Sequence, residues 1–292
     1  MAENVSSFEP EEITANLEAL IGREHVSEKF VRFRIKLLQA QTAVREALGR
    51  RAVFPVAEAK DSDRTTPLEP SEVPLDSSLL RKLLEDLSAA IGKHEGQSED
   101  LSRLSTAAAK DPELLEQLAR KASFGPDEAF LASLSERLDV AVEALLFFGR
   151  VLIAPFVAEA VGWLRQVREA APKSAGCCPL CGSPPGLAKL KREDGRRVLF
   201  CSLCGESWEF ARMGCPFCGS RQGLGMLSID TADPNAIETC EQCKGYLKTV
   251  DERKLPENKQ VIPLVETTAT LYLDLIAEEE GYAGELPYGA LR

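Results

Sequence analysis

The chain has 292 residues, of which 44% are hydrophobic and 28% charged, and its formal net charge is −11. That length predicts either two domains or one large one, and the composition is that of a globular protein rather than a disordered one. A nucleic-acid-binding protein needs a basic surface, so the acidic balance argues against that class. The first twelve residues, MAENVSSFEPEE, contain no apolar run. They therefore predict no secretory signal.

The N-terminal part of the chain is predicted to be helical. Apolar residues at helical spacing or proline-marked helix starts predict helices over 11–24, over 26–49, over 77–92, after Asp111-Pro112 and after Gly125-Pro126-Asp127. The proline-rich stretch 53–76 predicts a long loop. The most apolar segment, 139–169, is expected to be the central helix of this core, with a kink or break at Pro155. Its charged residues and its proline favour a buried helix over a membrane span.

From Ala171 onward the sequence becomes rich in cysteine and glycine, and strands are predicted instead of helices. Residues 187–200 predict two strands joined by a type I′ turn at Asp194-Gly195. Further strands are predicted over 206–212, 224–229 and 246–250. After Pro256 a helical pattern returns and ends near Gly281. Five basic residues of the 187–200 hairpin are expected to lie in a solvated turn rather than to contact phosphate: Lys189, Lys191, Arg192, Arg196 and Arg197.

All nine cysteines lie between Cys177 and Cys243, and eight of them form CxxC pairs. The pairs are Cys178/Cys181, Cys201/Cys204, Cys215/Cys218 and Cys240/Cys243. A two-residue gap lets both sulfurs of a tight turn face one ion, so four turns supply two tetrahedral sites. The gaps of 19 residues between the first two pairs and 21 between the last two fit two consecutive ribbons. A dithiol redox pair is the less favoured interpretation, because these turns lie beside hairpins.

Several features of the sites stay open at this stage. Sequential pairing is favoured, and an interleaved arrangement is the alternative. Four thiolates suit both Zn²⁺ and iron. A complete sulfur shell leaves no position for water or substrate, so the sites favour a structural or electron-transfer role over hydrolytic catalysis. Cys177 is interpreted as a non-ligand, with a reactive thiol as the alternative, and neither His25 nor His94 is expected to be a ligand.

The cysteine-rich segments resemble the FdhE family of formate dehydrogenase accessory proteins. The similarity lies in CPLCGSPP (178–185), CSLCGESWEFARMGCPFCGS (201–220), CEQCKGYLK (240–248) and LYLDLIAEEEGY (271–282). The resemblance implies a cytoplasmic maturation factor with rubredoxin-like sites, for which iron is the favoured metal. It further implies a chaperone-like, non-enzymatic protein whose partner is the catalytic subunit of a molybdenum or tungsten formate dehydrogenase.

The resulting expectation is an α+β chain in four parts. These are an all-helical domain (1–170), two tandem rubredoxin-like or zinc-ribbon modules (171–212 and 213–256) and a C-terminal helix with its tail (257–292). Besides the eight ligands, five residues are candidate partner contacts: Trp208, Arg212, Lys244, Tyr246 and Lys248. A buried strand position is the favoured interpretation of Trp208. An ion pair between the domains explains Arg212 equally well, and solvated positions explain the last three equally well. The alternative functions are a rubredoxin-like electron-transfer or thiol-redox protein and a zinc-ribbon regulator that binds nucleic acid.

Overall fold

A computed structural model of the chain describes residues 8–49, 68–91, 96–167 and 176–284. Its helices are α1 (Pro10–Glu18), α2 (Glu28–Gly49), α3 (Ser77–Ile91), α4 (Gly96–Lys110), α5 (Leu114–Lys121), α6 (Glu128–Leu138), α7 (Val142–Val167), α8 (Pro263–Ala269) and α9 (Leu271–Glu279). Its strands are β1 (Pro185–Leu190), β2 (Arg197–Cys201), β3 (Ser207–Phe210), β4 (Leu224–Leu227), β5 (Asn235–Cys240) and β6 (Tyr246–Asp251). The chain divides into two compact units, Phe33–Glu169 and Met1–Arg32 with Ala170–Arg292.

Helix α7 is the centre of the helical unit Phe33–Glu169. It packs against α3, α5 and α6. A β-carbon at Gly149 would lie 2.4 Å from the Cβ of Ala122, so glycine is what allows α7 to approach the end of α5 this closely. The helix is long and apolar enough to cross a membrane, but 67% of its most apolar stretch is buried inside the protein. Burial to this extent is the pattern of a core helix.

Helix α7 does not end at Pro155, although the proline predicts a kink or break. A proline has no N–H, so the carbonyl of Val151, four residues earlier, loses its usual helical donor. The side-chain amide of Gln41 on α2 donates to that oxygen at 3.1 Å. A hydrogen bond from another helix therefore satisfies the carbonyl that the proline leaves open.

The other unit is built on one six-stranded sheet with the order β3-β2-β1-β6-β5-β4. Strands β1–β3 form one antiparallel meander and strands β4–β6 form another. The two meanders join through the parallel pair β1·β6, in which Ala188 lies opposite Thr249. The two cysteine modules therefore share one sheet rather than lying as separate ribbons.

Helices pack on this sheet within the same unit. Leu273 and Ala277 of α9 cover Ile237 of β5 and Tyr246 of β6. The first helix of the chain, α1, packs against α8. A helix from the N-terminus therefore belongs to the unit that carries the cysteines.

The structure confirms the predicted fold class, in which a helical N-terminal region is followed by a cysteine-bearing sheet and C-terminal helices. The compact units separate near residues 32 and 169, and the four domain boundaries drawn from the sequence stay predictions. His25 lies in the turn between α1 and α2 with φ 62°, not inside a helix. His94, most of the predicted 53–76 loop and the end of the C-terminal tail fall outside the described residues.

Three details of the sheet differ from the sequence-based expectation. The 187–200 hairpin closes through the six-residue loop 191–196 rather than a two-residue turn, since Leu190 lies opposite Arg197. Strand β5 was not predicted.

Lys189 and Arg197 do not lie in a solvated turn, because their side chains are only 2% and 1% exposed. Each is paired with an acidic residue distant in sequence, Glu252 for Lys189 and Glu238 for Arg197.

Candidate metal centre

The four CxxC segments fold into the same turn. In each, the backbone N–H of the first cysteine donates to the carbonyl five residues later, at 2.7–3.0 Å. The pairs are Cys178 with Ser183, Cys201 with Glu206, Cys215 with Ser220 and Cys240 with Gly245. This local closure orients both side chains of a turn toward one point, which is what a two-residue gap requires for metal binding.

The residue after the second cysteine has positive φ in every turn. It is Gly182, Gly205 and Gly219 in the first three turns, with φ of 73–75°. In the fourth turn it is Lys244, with φ of 55°. Glycine follows at position 245 for a different reason, because a β-carbon there would lie 3.0 Å from the ring of Phe217 and 3.2 Å from the sulfur of Cys243. The fourth turn thus accepts a left-handed lysine and keeps its glycine for close packing.

The first cluster comprises Cys178, Cys181, Cys201 and Cys204, all of them buried. Its Sγ–Sγ distances include 3.6 Å between Cys178 and Cys204 and 3.5 Å between Cys181 and Cys201. Sulfurs bound at about 2.3 Å to a tetrahedral ion lie about 3.8 Å apart. The observed spacing therefore fits one four-coordinate metal ion with little rearrangement.

The second cluster comprises Cys215, Cys218, Cys240 and Cys243. Its Sγ–Sγ distances are 3.6 Å between Cys215 and Cys243 and 3.7 Å between Cys218 and Cys240. Cys218 is exposed and Cys243 half-buried, whereas the first cluster has no exposed member. Both clusters gather the thiols in sequential order, and the two sites differ in their access to solvent.

Several of the cysteine thiols have strongly perturbed pKa values. Burial raises the pKa of Cys178 and Cys204 well above the ordinary range. Hydrogen bonds from the thiols of Cys178, Cys201 and Cys204 lower the pKa of Cys181 well below it. In the second cluster, burial raises the pKa of Cys243 to about 11. Metal ligation requires thiolates, so a divalent ion that binds here displaces protons.

Cys177 lies next to the first cluster and belongs to neither group of four. Its side chain is half-buried, and burial raises the pKa of its thiol. A raised pKa disfavours the thiolate, which is the nucleophilic form. These features are those of a non-ligand thiol of low reactivity.

The segment after the fourth turn connects the second cluster to α9. The hydroxyl of Tyr246 donates to Asp274 at 2.7 Å, and the ammonium of Lys248 lies 2.6 Å from the same carboxylate. Lys248 also donates to the carbonyl of Thr267 at 3.1 Å. Lys244 pairs with Glu241, and its ammonium lies 5.3 Å from the ring centre of Tyr282. The C-terminal helix is thereby fixed to the strand that leaves the cluster.

The five candidate partner contacts lie in different environments, and partner binding stays a prediction for all of them. Trp208, Tyr246 and Lys248 are buried. Lys244 is exposed and ion-paired. Arg212 is exposed and has no ion-pair partner among the described residues. Sequence reasoning missed Asp274 and Glu238, since a lone acidic residue gives no local sign of the buried cation that it meets in the fold.

Comparison with protein families matches two segments of the chain. Residues 177–212 match the FdhE central domain, and residues 213–287 match the FdhE C-terminal domain. Each segment contains one of the two cysteine clusters. The two matched segments meet between Arg212 and Met213.

Comparison with curated proteins finds FdhE homologs, and comparison with solved structures finds a protein of the same fold. A protein FdhE homolog from Pseudomonas aeruginosa is 34% identical over 187 residues, which cover 59% of this chain and 58% of the relative. A homolog from Shewanella oneidensis is 27% identical over 85% of this chain and 78% of the relative. The crystal structure of the FdhE protein from Pseudomonas aeruginosa has the same fold, with a TM-score of 0.58 over 93% of this chain and 91% of that one, at 23% identity.

Proposed function

Because the resemblance to the FdhE family is confirmed, we propose that this chain is an accessory factor for the maturation of a formate dehydrogenase. The observation that supports the proposal most directly is the match of 177–287 to the two FdhE domains, each of which carries a four-cysteine cluster. The aligned segment of the first curated relative spans little more than half of that protein. The partner, activity and location of this chain are therefore proposals.

The proposed cofactors are two metal ions, one in each four-cysteine cluster. Iron is favoured by the family resemblance, and zinc fits the same sulfur geometry. A closed sulfur shell leaves no site for a metal-bound water. The proposed role of the metals is therefore to fold the sheet or to transfer electrons, and the chain is proposed to act by binding rather than as an enzyme.

The proposed partner is the catalytic subunit of a molybdenum or tungsten formate dehydrogenase, bound in the cytoplasm. The chain would hold that subunit before assembly or export, as a chaperone does. Its sheet unit contains both metal sites and an exposed surface beside the second one, which supports a binding role.

The test is anaerobic co-purification from a host that expresses a formate dehydrogenase. The full chain, tagged and loaded with metal, is expected to recover the catalytic subunit in stoichiometric amount. A matched control is the double variant Cys215→Ser and Cys218→Ser, which removes two ligands of the second site and is expected to recover less. Recovery of no catalytic subunit by the unaltered chain, at natural expression level and without oxygen, would contradict the proposal.

One observation favours a second function, electron transfer. Cys218 is exposed in the second cluster, so a redox partner can approach a ligand of that ion directly. If iron cycles there, natively purified protein has a ferric-thiolate absorption that bleaches on reduction and returns on reoxidation. A colourless protein that contains zinc alone would contradict this second function and leave the first one standing.

A further inference from the structure

A cavity of about 180 Å³ lies beside the second cysteine cluster, on one face of the β4–β6 meander. Leu224, Met226 and Leu247 line it from the strands, and Met213 and Phe217 line it from just before and within the third turn. Met226 lies opposite Glu238, and Glu238 lies opposite Leu247, so these three share one face. Helix α9 covers Ile237 and Tyr246 of the same meander. The cavity therefore belongs to sheet surface that α9 does not fill.

The mouth of this cavity is apolar and exposed. Met213 is 63% exposed and Met226 is 54% exposed. Large apolar side chains grouped in this way mark interaction sites, and methionine adapts its shape to different apolar partners.

Strand β4 forms an end of the sheet, with β5 on one side only. Among the described residues no strand pairs with its outer edge. Its sequence, Leu-Gly-Met-Leu, contains no charge and no proline, which are the usual features that block pairing at an exposed edge. An extended peptide can therefore add to β4 by backbone hydrogen bonds.

Charge selects among such peptides. Arg212 lines the cavity and is exposed, and no acidic side chain of the described residues pairs with it. Glu238 forms an ion pair with the other cation of the cavity, Arg197, and interacts with Arg212 at longer range without pairing with it. The second cluster also lines the cavity through Cys215 and Cys240, and its thiolates are negative. The exposed guanidinium of Arg212, rather than the net charge of the cavity, is therefore the group that can bind a carboxylate of the ligand.

We propose that β4 and this cavity bind an extended segment of a partner protein that carries an apolar side chain and an acidic residue. The segment adds as a seventh strand beside β4, its apolar side chain enters the cavity beside Met226, and its carboxylate pairs with Arg212. That the segment belongs to a formate dehydrogenase subunit rests on the proposed function. The docking surface itself does not.

The direct test uses a synthetic probe and the full, metal-loaded chain. The probe is a fluorescent peptide of alternating threonine and leucine with one central glutamate, and its partner probe has lysine in place of the glutamate. Fluorescence anisotropy is expected to show about fivefold weaker binding of the lysine peptide. Hydrogen exchange is expected to show new protection of the amides of Leu224–Leu227 when the glutamate peptide binds.

Substitutions at Arg212 and Met226 test whether these residues contact the peptide. Arg212→Glu is expected to reverse the preference between the two peptides. Met226→Asp places a charge against the apolar probe and is expected to weaken both by about tenfold or more, whereas Met226→Leu keeps the affinity. Arg81→Glu changes the same charge on α3, where Arg81 is exposed, and is expected to change nothing. A metal content of two ions per chain in each variant checks that the sites are intact.

The outcomes separate this inference from the proposed function. Absence of binding of the glutamate peptide, or equal binding by the Arg212→Glu and Met226→Asp variants, would overturn the docking surface. If the peptide binds as expected but the formate dehydrogenase subunit is not recovered, the proposed function fails and the docking surface stands. If both variants recover the subunit as well as the unaltered chain does, the docking surface fails as the subunit's site and the proposed function stands.

Discussion

At the residue scale, the hydrogen bond between Gln41 and Val151 compensates for a proline inside the central helix. Buried carbonyls without a donor are costly, and Pro155 creates one in α7. Gln41 occupies a half-buried position on α2, from which its amide donates at 3.1 Å. Two residues more than a hundred positions apart are therefore coupled, and the coupling can be measured.

Gln41→Leu is expected to lower the free energy of unfolding of the helical unit by about 1–2 kcal/mol, because the carbonyl is left without a donor. In a Pro155→Ala background the alanine N–H can donate to the Val151 carbonyl, so Gln41→Leu is expected to lower the free energy of unfolding by less. The measurement is a double-mutant cycle by urea unfolding, followed by circular dichroism. An equal cost of Gln41→Leu in both backgrounds would show that the side chain does not serve this carbonyl.

Lys244 is a second residue whose backbone conformation carries a cost. A left-handed conformation disfavours residues with a β-carbon by about 1 kcal/mol, and the other three turns use glycine there. Lys244→Gly and Lys244→Ala both remove the ion pair with Glu241. The glycine variant is therefore expected to be the more stable of the two by about 1 kcal/mol in the metal-loaded state. Thermal unfolding compares the two variants. An alanine variant of equal or higher stability would show that the left-handed conformation at position 244 does not disfavour a residue with a β-carbon.

At the scale of secondary-structure elements, the two cysteine modules repeat one connectivity. Each runs turn, strand, strand, turn, strand, and the pair β1·β6 fuses them into one sheet. Their environments differ, since the first cluster is buried and Cys218 of the second is exposed. The two sites have the same four-cysteine ligand set but differ in solvent exposure, so we expect them to release their metal ions at different rates.

A chelator is expected to remove the ion of the second site before that of the first, because it must reach the metal ion and the second cluster is the more exposed. A thiol-alkylating reagent added during chelation then labels Cys215, Cys218, Cys240 and Cys243 first. Peptide mass spectrometry with time gives the order of labelling. Simultaneous labelling of Cys178 and Cys218 would show that the sites open together.

The affinity of both sites for zinc is expected to rise with pH. Burial raises the pKa of Cys178 and Cys204, and that of Cys243 to about 11, so these thiols are protonated at neutral pH without metal. A proton is released for each such thiol on binding, and falling pH therefore favours release of the ion. Competition with a chromophoric chelator between about pH 6 and 8 measures the slope. An affinity independent of pH would mean that the ligands are already ionised.

Sequence reasoning predicted the clusters better than their surroundings, for a physical reason. Each CxxC turn is closed by a hydrogen bond between residues only five positions apart. Its geometry is therefore local, and the spacing of the cysteines predicts it. The ion pairs of Lys189 with Glu252 and Arg197 with Glu238 join distant segments, so the basic hairpin residues looked solvated. Strand β5, with Asn235 and Thr239 in a short run, has little alternation of apolar and polar residues. Its formation depends on pairing with β4 and β6.

At the scale of the whole molecule, the two compact units do not follow the order of the chain. Helix α1 packs with α8, in the unit that carries both cysteine clusters, and its buried residues are Ile13 and Leu17. The helical unit Phe33–Glu169 contains none of the nine cysteines. Metal binding is therefore expected to stabilise a unit that includes the first helix of the chain.

Removal of both ions by a chelator is expected to raise hydrogen exchange in α1 together with β1–β6, while α3 and α7 keep their protection. A structural zinc ion contributes about 10–16 kcal/mol to the folding of a small ribbon, so the sheet loses much of its stability without it. Helix α1 is short and depends on packing for its stability, so it is expected to open with the sheet. Hydrogen exchange with and without chelator, read by mass spectrometry at residues 10–18, makes the comparison. Protection of α1 that survives chelation, while the strands exchange freely, would assign α1 to the helical unit instead.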